Sequence, residues 1–509
     1  MSLTISRDGH RQRNAPASSV PAAIVVDQAA LLRLLRSGYQ QAEQSGYPLI
    51  VSYSQSLPVL KGNLLAAHAV AQELGQQTIF YWERPSEGFT LVGLGEAAIC
   101  AAPTPEEIAD QWRTLVQRAL VYPQPATAMN DLLARQPAGP LGFGGFAFDS
   151  GREEQSRLWS GFPNGLLILP EILVGATAEA HAFFTINVLV EPGASGKDID
   201  QCEETATEKL GQVEWLLSRL CDALARPELG GDPQRVHVRD LQSRSSWRRM
   251  ILAATEAIRD GAYRKVVLAR SVLAQAPEPF QIAQALADLR GRFADAYVFA
   301  LTRGGHTFLG ASPEQLAGSD GEQVKTMALA GSAPRGIAPE QDARLGDELL
   351  QQEKTHNEHA IVVAMIREAL APLTTELHSP ETPQLFKLQN VQHLLTPITG
   401  KLVKDTSILK VVAALHPTPA VAGEPRAATL AAIHMLESLD RGWYAGPIGW
   451  VGGDGSGEFA VALRSALISG RQATLFAGCG IVAGSDPDAE YLESCWKLQV
   501  MLKSLGRED

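Results

Sequence analysis

The alternation of hydrophobic and polar residues predicts both strands and helices along this chain. Two short apolar runs, Thr78–Trp82 and Phe89–Val92, flank a Pro-Ser-Glu-Gly turn, which is the pattern of a β-hairpin. A charged stretch that ends near Leu224 predicts an amphipathic helix, because its apolar positions recur at helical spacing. Further apolar runs of strand length predict strands at Leu141–Phe148, Leu166–Val174 and Phe183–Val190.

A stretch rich in glycine and proline, RPELGGDP at Arg226–Pro233, has the composition of a linker. We therefore expect a disordered leader at 1–22, a variable N-terminal part at 23–233 and a C-terminal part at 234–509 that carries the chemistry. The leader has charge but lacks the apolar core of a secretory signal.

Hairpins and helices alternate in the C-terminal part. Tyr297–Arg303 and Thr307–Ala311 form a predicted hairpin across two glycines, and two more hairpins are expected within Trp443–Ile481. A strand at Arg264–Leu273 precedes them, and a single long helix is expected at Ala343–Ala371. Antiparallel hairpins with helices between them favour an α+β fold over a doubly wound parallel sheet.

Composition and charge narrow the classes of function. The 509 residues are 45% hydrophobic and 20% charged, which is typical of a globular protein. A net charge of −12 without a Lys/Arg stripe argues against nucleic-acid binding. No run approaches the ~18 apolar residues of a membrane helix. The five cysteines are scattered and never spaced as CxxC, so we expect reduced thiols in a cytoplasmic protein.

Several polar residues lie inside apolar patterns and allow two interpretations each. Lys265 opens KVVLAR, where its side chain either extends to the surface or is enclosed, in which case desolvation lowers its pKa and makes the amine a usable general base. Glu314 follows a strand in ASPEQL and is either solvated or functional. Arg464 in EFAVALRSALI forms either a structural ion pair or a fork for a ligand carboxylate. His393 and His416 could equally be hydrogen-bonded core histidines, which we expect for His416.

The last long helix is predicted to begin at Ser485-Asp486-Pro487, where a capping oxygen precedes a proline. Glu490, Glu493 and Lys497 recur at i, i+3 and i+7 and share one face, which is either solvated or part of a site. A glycine-rich strand just before the helix favours a site, because glycine lets a ligand approach the backbone. The opposite face is expected to be anchored in the core by Leu492, Cys495, Leu498 and Leu502.

Glu358 shares a helix face with Ile361 and Val362, so its carboxylate is expected to point towards the core. A buried carboxylate requires a partner, which could be an arginine, a lysine or a divalent cation. Three carboxylates without a histidine or cysteine beside them suit Mg²⁺ rather than Zn²⁺, and these are Glu358, Glu490 and Glu493.

With these residues assembled, the chain from about Ser245 to Leu502 resembles the chorismate-utilising enzymes, which include isochorismate synthases, salicylate synthases and anthranilate synthase component I. The blocks that carry the resemblance follow the family's order. They are YRKVVLAR, FLGASPEQL, KTMALAGSAPRG, EKTHNEHAIVV, NVQHLLTPI, LHPTPAVAGEPR, WYAGPIGW, EFAVALRSA and GCGIVAGSDPDAEYLESCWK.

The resemblance implies two stacked, mainly antiparallel sheets with helices outside. It also implies Mg²⁺ held by Glu358 and Glu493, with Glu490 contributing directly or through water. The catalytic residues it implies are Lys265 as base and Glu314 as acid. The substrate-binding residues it implies are Gly331, Ser332, His393, Ala420, Tyr444, Arg464, Gly478 and Lys497.

Two positions indicate which member of the family the chain resembles. Lys265 matches the base of the water-adding members, whereas the ammonia-using members carry a non-basic residue there. Ala420 matches the isochorismate synthases, whereas members that eliminate pyruvate carry threonine. The resemblance thus implies an isochorismate synthase, whose product feeds menaquinone, catechol siderophores or salicylate. The alternatives are a salicylate synthase, an amidotransferase-dependent synthase component and a non-catalytic binding protein. We expect a monomer without an obligate glutamine amidotransferase or a membrane partner.

Overall fold

The computed structural model describes residues 27–57, 64–73, 75–123, 139–149, 157–177, 182–192, 197–224, 234–387 and 391–508, apart from a few side chains within those ranges. The predicted leader and linker lie outside them. The helices of the described residues are α1 (Gln28–Ser45), α2 (Leu65–Glu73), α3 (Pro105–Gln117), α4 (Lys197–Leu224), α5 (Arg244–Arg259), α6 (Ile282–Arg292), α7 (Pro339–Gln351), α8 (Glu353–Leu370), α9 (Ile408–Leu415), α10 (Arg426–Leu436) and α11 (Pro487–Leu505). None of these is long and apolar enough to cross a membrane.

The larger of two sheets has 14 strands. In spatial order they are β24 (Arg507–Glu508), β10 (Arg235–Asp240), β11 (Lys265–Gln275), β23 (Gln472–Ile481), β22 (Ser465–Ser469), β13 (His306–Ser312), β12 (Tyr297–Arg303), β2 (Ile79–Arg84), β3 (Phe89–Leu94), β8 (Ile172–Ala176), β9 (Ala182–Val190), β1 (Leu49–Leu57) and β5 (Leu120–Tyr122), with β19 (Gly423–Glu424) beside β11. The pairs β1–β5 and β10–β24 are parallel, whereas long pairs such as β11–β23 are antiparallel.

The smaller sheet has 10 strands. In spatial order they are β16 (Thr374–His378), β18 (Val391–Leu402), β15 (Gln323–Pro334), β14 (Gln315–Ser319), β21 (Gly457–Val461), β20 (Pro447–Gly452), β6 (Leu141–Phe146), β7 (Gly165–Leu169) and β4 (Ala98–Ala101), with β17 (Gln384–Lys387) beside β18. Both sheets take strands from either side of residue 234, and the predicted α+β class is confirmed. The boundary at 233/234 stays a prediction.

Two apolar layers follow from the alternation of side chains along the large sheet. In β2, Phe80 and Trp82 face the small sheet, and the rings of Phe80 and Phe143 lie 4.4 Å apart across the gap. Ile79 and Tyr81 face the other way and pack in a second layer formed with α1, α2, α4, α6 and α11. The large sheet is therefore covered on both sides.

The short-range sequence patterns predicted the hairpins correctly. The four predicted hairpins that form are β2–β3, β12–β13, β20–β21 and β22–β23. The single strand expected at Leu166–Val174 is wrong. It consists of β7 and β8, which belong to different sheets, and the chain changes sheet after Pro170, which has no N–H for a ladder.

Two helix predictions need correction. The helix expected at Ala343–Ala371 is two helices, α7 and α8, because Gln352 between them adopts an extended conformation with φ −74° and ψ 104°. In α11, Leu498 and Leu502 are buried as expected, but Leu492 is 50% exposed. The buried stripe of α11 instead continues through Met501 and Leu505.

The chain passes directly from one sheet to the other at two places that matter for the site. Between β13 and β14 it leaves the large sheet for the small one, and Glu314 lies in this crossing. Between β21 and β22 it returns, and Arg464 lies in that crossing. The two crossings are hydrogen-bonded to each other, from Val461 N–H to Glu314 O and from Ala311 N–H to Arg464 O.

Candidate active site between the two sheets

Glu314 is a buried carboxylate held by a fixed backbone. Its own N–H donates to Ser312 Oγ at 3.3 Å, and the Ser312 hydroxyl donates to Val461 O at 2.5 Å. The residue is only 8% exposed. Burial raises the pKa of Glu314 to about 7, against the opposing charges of Lys265 and Arg464. The structure therefore favours the functional interpretation of Glu314 over a solvated one.

Arg464 lies in the second crossing with φ 49°, a left-handed conformation that is unusual for a residue other than glycine. Burial lowers the pKa of its guanidinium, and the nearby Tyr444, Glu493 and Glu314 act in the opposite direction. Among the side chains that the structure describes, none forms a hydrogen bond or ion pair with this guanidinium. Its donors therefore remain available to a ligand carboxylate, which favours the fork interpretation.

Lys265 is the first residue of β11 and is partly buried. Its aliphatic stem lies against Gly480 of the neighbouring strand, because a Cβ at Gly480 would be 2.8 Å from Cε and 3.5 Å from Nζ. Its charge acts on Glu314. The ammonium thus lies within the same site as Glu314. The sequence did not reveal the need for glycine at 480, although the alternating glycines of GCG were a usable signal.

The small sheet contributes His393 and Gly331. The His393 ring lies with Nδ1 3.3 Å from Gly331 O, and burial together with the charge of Arg464 lowers the pKa of His393 to about 4. The ring is therefore neutral at neutral pH. Gly331 has φ 76°, and a Cβ there would lie 2.3 Å from Thr355 Cγ2. Ser332 pairs with His393 through the backbone, but its side chain lies outside the description.

Tyr444 and Gly478 line the part of the site near the large sheet. The Tyr444 ring stacks on Phe476 with centroids 5.2 Å apart, and its hydroxyl would lie 3.2 Å from a Cβ at Gly478. Burial raises the pKa of the Tyr444 hydroxyl, so it stays protonated. Ala420 lies in the loop between α9 and β19 and is partly buried.

His416 lies outside this cluster of charges and behaves as a core residue. It is 8% exposed, and its Nε2 lies 3.0 Å from Phe148 O. Burial lowers the pKa of His416 to about 3. The expectation of a hydrogen-bonded core histidine is confirmed.

Helix α11 brings its charged face to the end of β23. Asp486 accepts from the N–H groups of Asp488 and Ala489 at 3.0 and 2.9 Å, which caps the helix as expected. Glu493 and Lys497 form an ion pair of 2.6 Å, and the Lys497 ammonium also donates to Gly478 O at 2.8 Å. These bonds bind the helix to the glycine strand of the site.

The carboxylates of Glu490 and Glu493 form a candidate site for a cation. Their oxygens and Cys479 Sγ lie within 4.8 Å of one another. Burial raises the pKa of Glu490, and the charge of Glu493 raises it further, against a hydrogen bond from Ser485. Two carboxylates that repel each other are stabilised by a cation, and oxygen donors fit Mg²⁺.

Cys479 is the one soft donor beside these carboxylates in the part of the chain that the structure describes. Its thiol donates to Glu490 O at 3.3 Å, and burial raises its pKa to about 12. A protonated buried thiol is a poor ligand, so the site keeps its preference for a hard cation. Glu358 lies on α8, but its side chain is outside the description, and its role as a ligand stays a prediction.

Comparisons with known proteins show which family the sequence matches. Residues 37–506 match the family described as chorismate binding enzyme. The chain is 36% identical over 474 residues to isochorismate synthase MenF of Bacillus subtilis, covering 92% of this chain and 96% of that protein. It is 37% identical over 440 residues to the salicylate biosynthesis isochorismate synthase of Pseudomonas aeruginosa, covering 85% of each.

Solved structures give the same answer for the fold. The menaquinone-specific isochorismate synthase MenF of Escherichia coli superposes with a TM-score of 0.71 at 26% identity, covering 94% of this chain and 99% of that one. Anthranilate synthase component I of Streptococcus pneumoniae superposes with a TM-score of 0.57 at 22% identity and covers 71% of this chain. The second likeness concerns the fold alone.

Proposed function

The chain belongs to the chorismate-binding enzymes, and on that basis we propose that it is an isochorismate synthase, which reversibly isomerises chorismate to isochorismate. The observation that carries the proposal is a buried carboxyl group, Glu314, whose pKa is raised to about 7 beside the charge of Lys265. An acid and a base that face one reacting molecule are what this isomerisation needs.

In the proposed mechanism, the neutral amine of Lys265 removes a proton from a water molecule as the water oxygen attacks C2 of the chorismate ring. Glu314, in its protonated form, donates a proton to the hydroxyl that leaves C4. The ring double bonds shift between these two carbons, and no other group is lost. A pKa of about 7 leaves Glu314 partly protonated at neutral pH, which suits a general acid.

The substrate's carboxylates would be held by two cationic side chains of the site. Arg464 offers a guanidinium without a partner among the described side chains, and Lys497 is bonded to the Gly478 carbonyl at the end of β23. Glu490 and Glu493, with Glu358, would hold Mg²⁺, which when bound neutralises a substrate carboxylate. Tyr444 and His393 are neutral and line the proposed substrate site without adding a charge.

Lys265 and Ala420 distinguish this proposal from its alternatives. Lys265 suits attack by water, so no glutamine amidotransferase is needed as a source of ammonia. The methyl group of Ala420 offers no hydroxyl for the pyruvate elimination of a salicylate synthase. A non-catalytic binding protein would not need both Lys265 and a Glu314 carboxyl with a raised pKa. A monomeric state and a cytoplasmic location stay predictions.

The test is product analysis with the purified chain, chorismate and Mg²⁺. We expect an equilibrium mixture of chorismate and isochorismate by chromatography, without glutamine or ammonia, and no pyruvate in a lactate dehydrogenase assay. Activity should be lost in EDTA and return with Mg²⁺. Ala420→Thr should release some pyruvate. Stoichiometric pyruvate from the wild type would instead identify a salicylate synthase, and full activity in chelator would refute the metal site.

A further inference from the structure

A buried ion pair lies behind the site and has no place in the proposed mechanism. Glu437 and Arg441 follow α10 and are 5% and 4% exposed. Arg441 Nε donates to Glu437 Oε2 at 2.9 Å, and Nη2 donates to Oε1 at 2.5 Å. Two charges this deeply buried are costly unless their remaining hydrogen-bonding groups are satisfied.

Three further hydrogen bonds join the pair to backbone close to residues of the site. Arg441 Nη2 donates to Val267 O at 2.7 Å, and Nη1 donates to Val421 O at 3.0 Å. The N–H of Ala269 donates to Glu437 Oε1 at 2.8 Å. The pair therefore bonds to two chain segments that are far apart in sequence.

The position of these bonds along β11 explains why side chains, and not a neighbouring strand, bind its backbone there. On this edge, β19 pairs with β11 only at Lys265 and Val266, and β10 pairs with it only from Val272 onward. Between these points, Val267 O and Ala269 N–H have no strand opposite them and are bound by the ion pair instead. The two side chains take the place of a missing stretch of strand.

Each bonded segment carries a residue of the site. Val267 is two positions from Lys265 on β11, and Val421 directly follows Ala420 in its loop. The Arg441 carbonyl also accepts from the N–H of Tyr444 at 2.9 Å. The buried Glu437–Arg441 pair thus connects three segments, which carry Lys265, Ala420 and Tyr444.

We propose that Glu437 and Arg441 are positioning residues that set the relative placement of Lys265, Ala420 and Tyr444. The inference rests on the proposed function. Arginine is required because its planar fork binds the carboxylate and two carbonyls at once, which the single ammonium of lysine cannot do. Misplacement of a catalytic group by about 1 Å can lower a rate by ~100-fold, so a loosened pair should lower kcat.

The experiment compares Arg441→Lys with a matched change in a second ion pair. Arg290 Nε and Nη2 donate to the buried Glu83 at 2.9 and 2.8 Å, and this pair bonds to Tyr81 rather than to any residue of the site. Kinetics with chorismate and thermal unfolding are measured for both variants. We expect Arg441→Lys to lower kcat by at least ~10-fold with a smaller change in KM. Arg290→Lys should keep kcat within about twofold, whatever the loss of melting temperature that it causes.

Equal kcat values for the two folded variants would overturn the positioning role. If Arg441→Lys does not fold, Glu437→Gln decides, since its amide oxygen still accepts from Ala269 N–H while the charge pairing is lost. A kcat for Glu437→Gln equal to the wild type's, or failure of both variants to fold while Arg290→Lys folds, would leave the pair a purely structural element and refute the inference. Failure of the wild type to convert chorismate would refute the proposed function itself.

Discussion

Two charged clusters of the site differ in how the fold holds them. Glu314 and Arg464 lie in the two crossings between the sheets, where burial raises the pKa of the first and lowers that of the second. Glu493 and Lys497 lie one turn apart on α11, are 45% and 25% exposed in their side chains, and are already paired at 2.6 Å. Burial therefore disfavours the ionised forms of Glu314 and Arg464 in the crossings, whereas Glu493 and Lys497 on the helix are paired with each other.

The two clusters suit different parts of the chemistry. The buried carboxyl group of Glu314 keeps a pKa near neutrality even beside the charges of Lys265 and Arg464, which suits proton transfer. Carboxylates grouped on a partly exposed helix face beside a lysine suit the binding of ions. We thus expect changes at Glu314 and Lys265 to act on the chemical step, and changes at Glu490 and Glu493 to act on metal affinity.

The largest effect is expected for Lys265→Ala. Removing the base should lower kcat by ~100-fold or more, while KM changes little because the carboxylate-binding residues remain. Steady-state kinetics with chorismate check this, with Lys325→Ala, an exposed lysine on β15, as the control. A variant that keeps more than about a tenth of the wild-type kcat would show that another group is the base.

Glu314→Gln should lower kcat by ~100-fold and change the pH profile. The carboxyl group must be protonated to act as an acid, so wild-type kcat/KM should fall as the pH rises through about 7. The residual activity of the variant should lack that descending limb.

Glu458→Gln is the matched control for this profile, because burial also raises the pKa of Glu458 but Tyr297 and Gln315 donate to it. The control should keep the limb near pH 7. An unchanged limb in Glu314→Gln would assign the titration to another group.

The smallest effect is expected on the helix. Glu493→Gln should raise the Mg²⁺ concentration for half-maximal activity by ~10-fold, with kcat largely recovered at saturating Mg²⁺. Titration of the EDTA-treated enzyme measures this, and Asp488→Asn on the same helix, which loses only exposed ion pairs with Arg244 and Arg248, is the control. If no Mg²⁺ concentration restores kcat in Glu493→Gln, this residue acts on the chemical step and not only on metal affinity, which would contradict the comparison.

Sequence patterns predicted the local parts of this fold well. The β2–β3 and β12–β13 hairpins formed as expected, because their turns are specified by residues within a few positions. The same patterns missed the division of Leu166–Val174 between two sheets and the break at Gln352, since an apolar run does not reveal which neighbours it will meet.

Candidate residues were recognisable where a charge interrupts an apolar pattern, as at Lys265, Glu314 and Arg464. Ser312 and the Glu437–Arg441 pair escaped notice, because their roles depend on hydrogen bonds to backbone as far as 149 to 174 positions away in sequence. No local pattern contains such a partner.

The sequence alone determined the hairpins, the capped start of α11 and the residue types available for chemistry, since these depend on short-range sterics and hydrogen bonding. The placement of Glu314 and Arg464 in adjacent crossings, and the burial that raises the pKa of Glu314 to about 7, depend on the folded arrangement of distant segments. The reason is physical: desolvation and the field of nearby charges depend on distances between segments that are remote in the chain, and folding alone sets those distances.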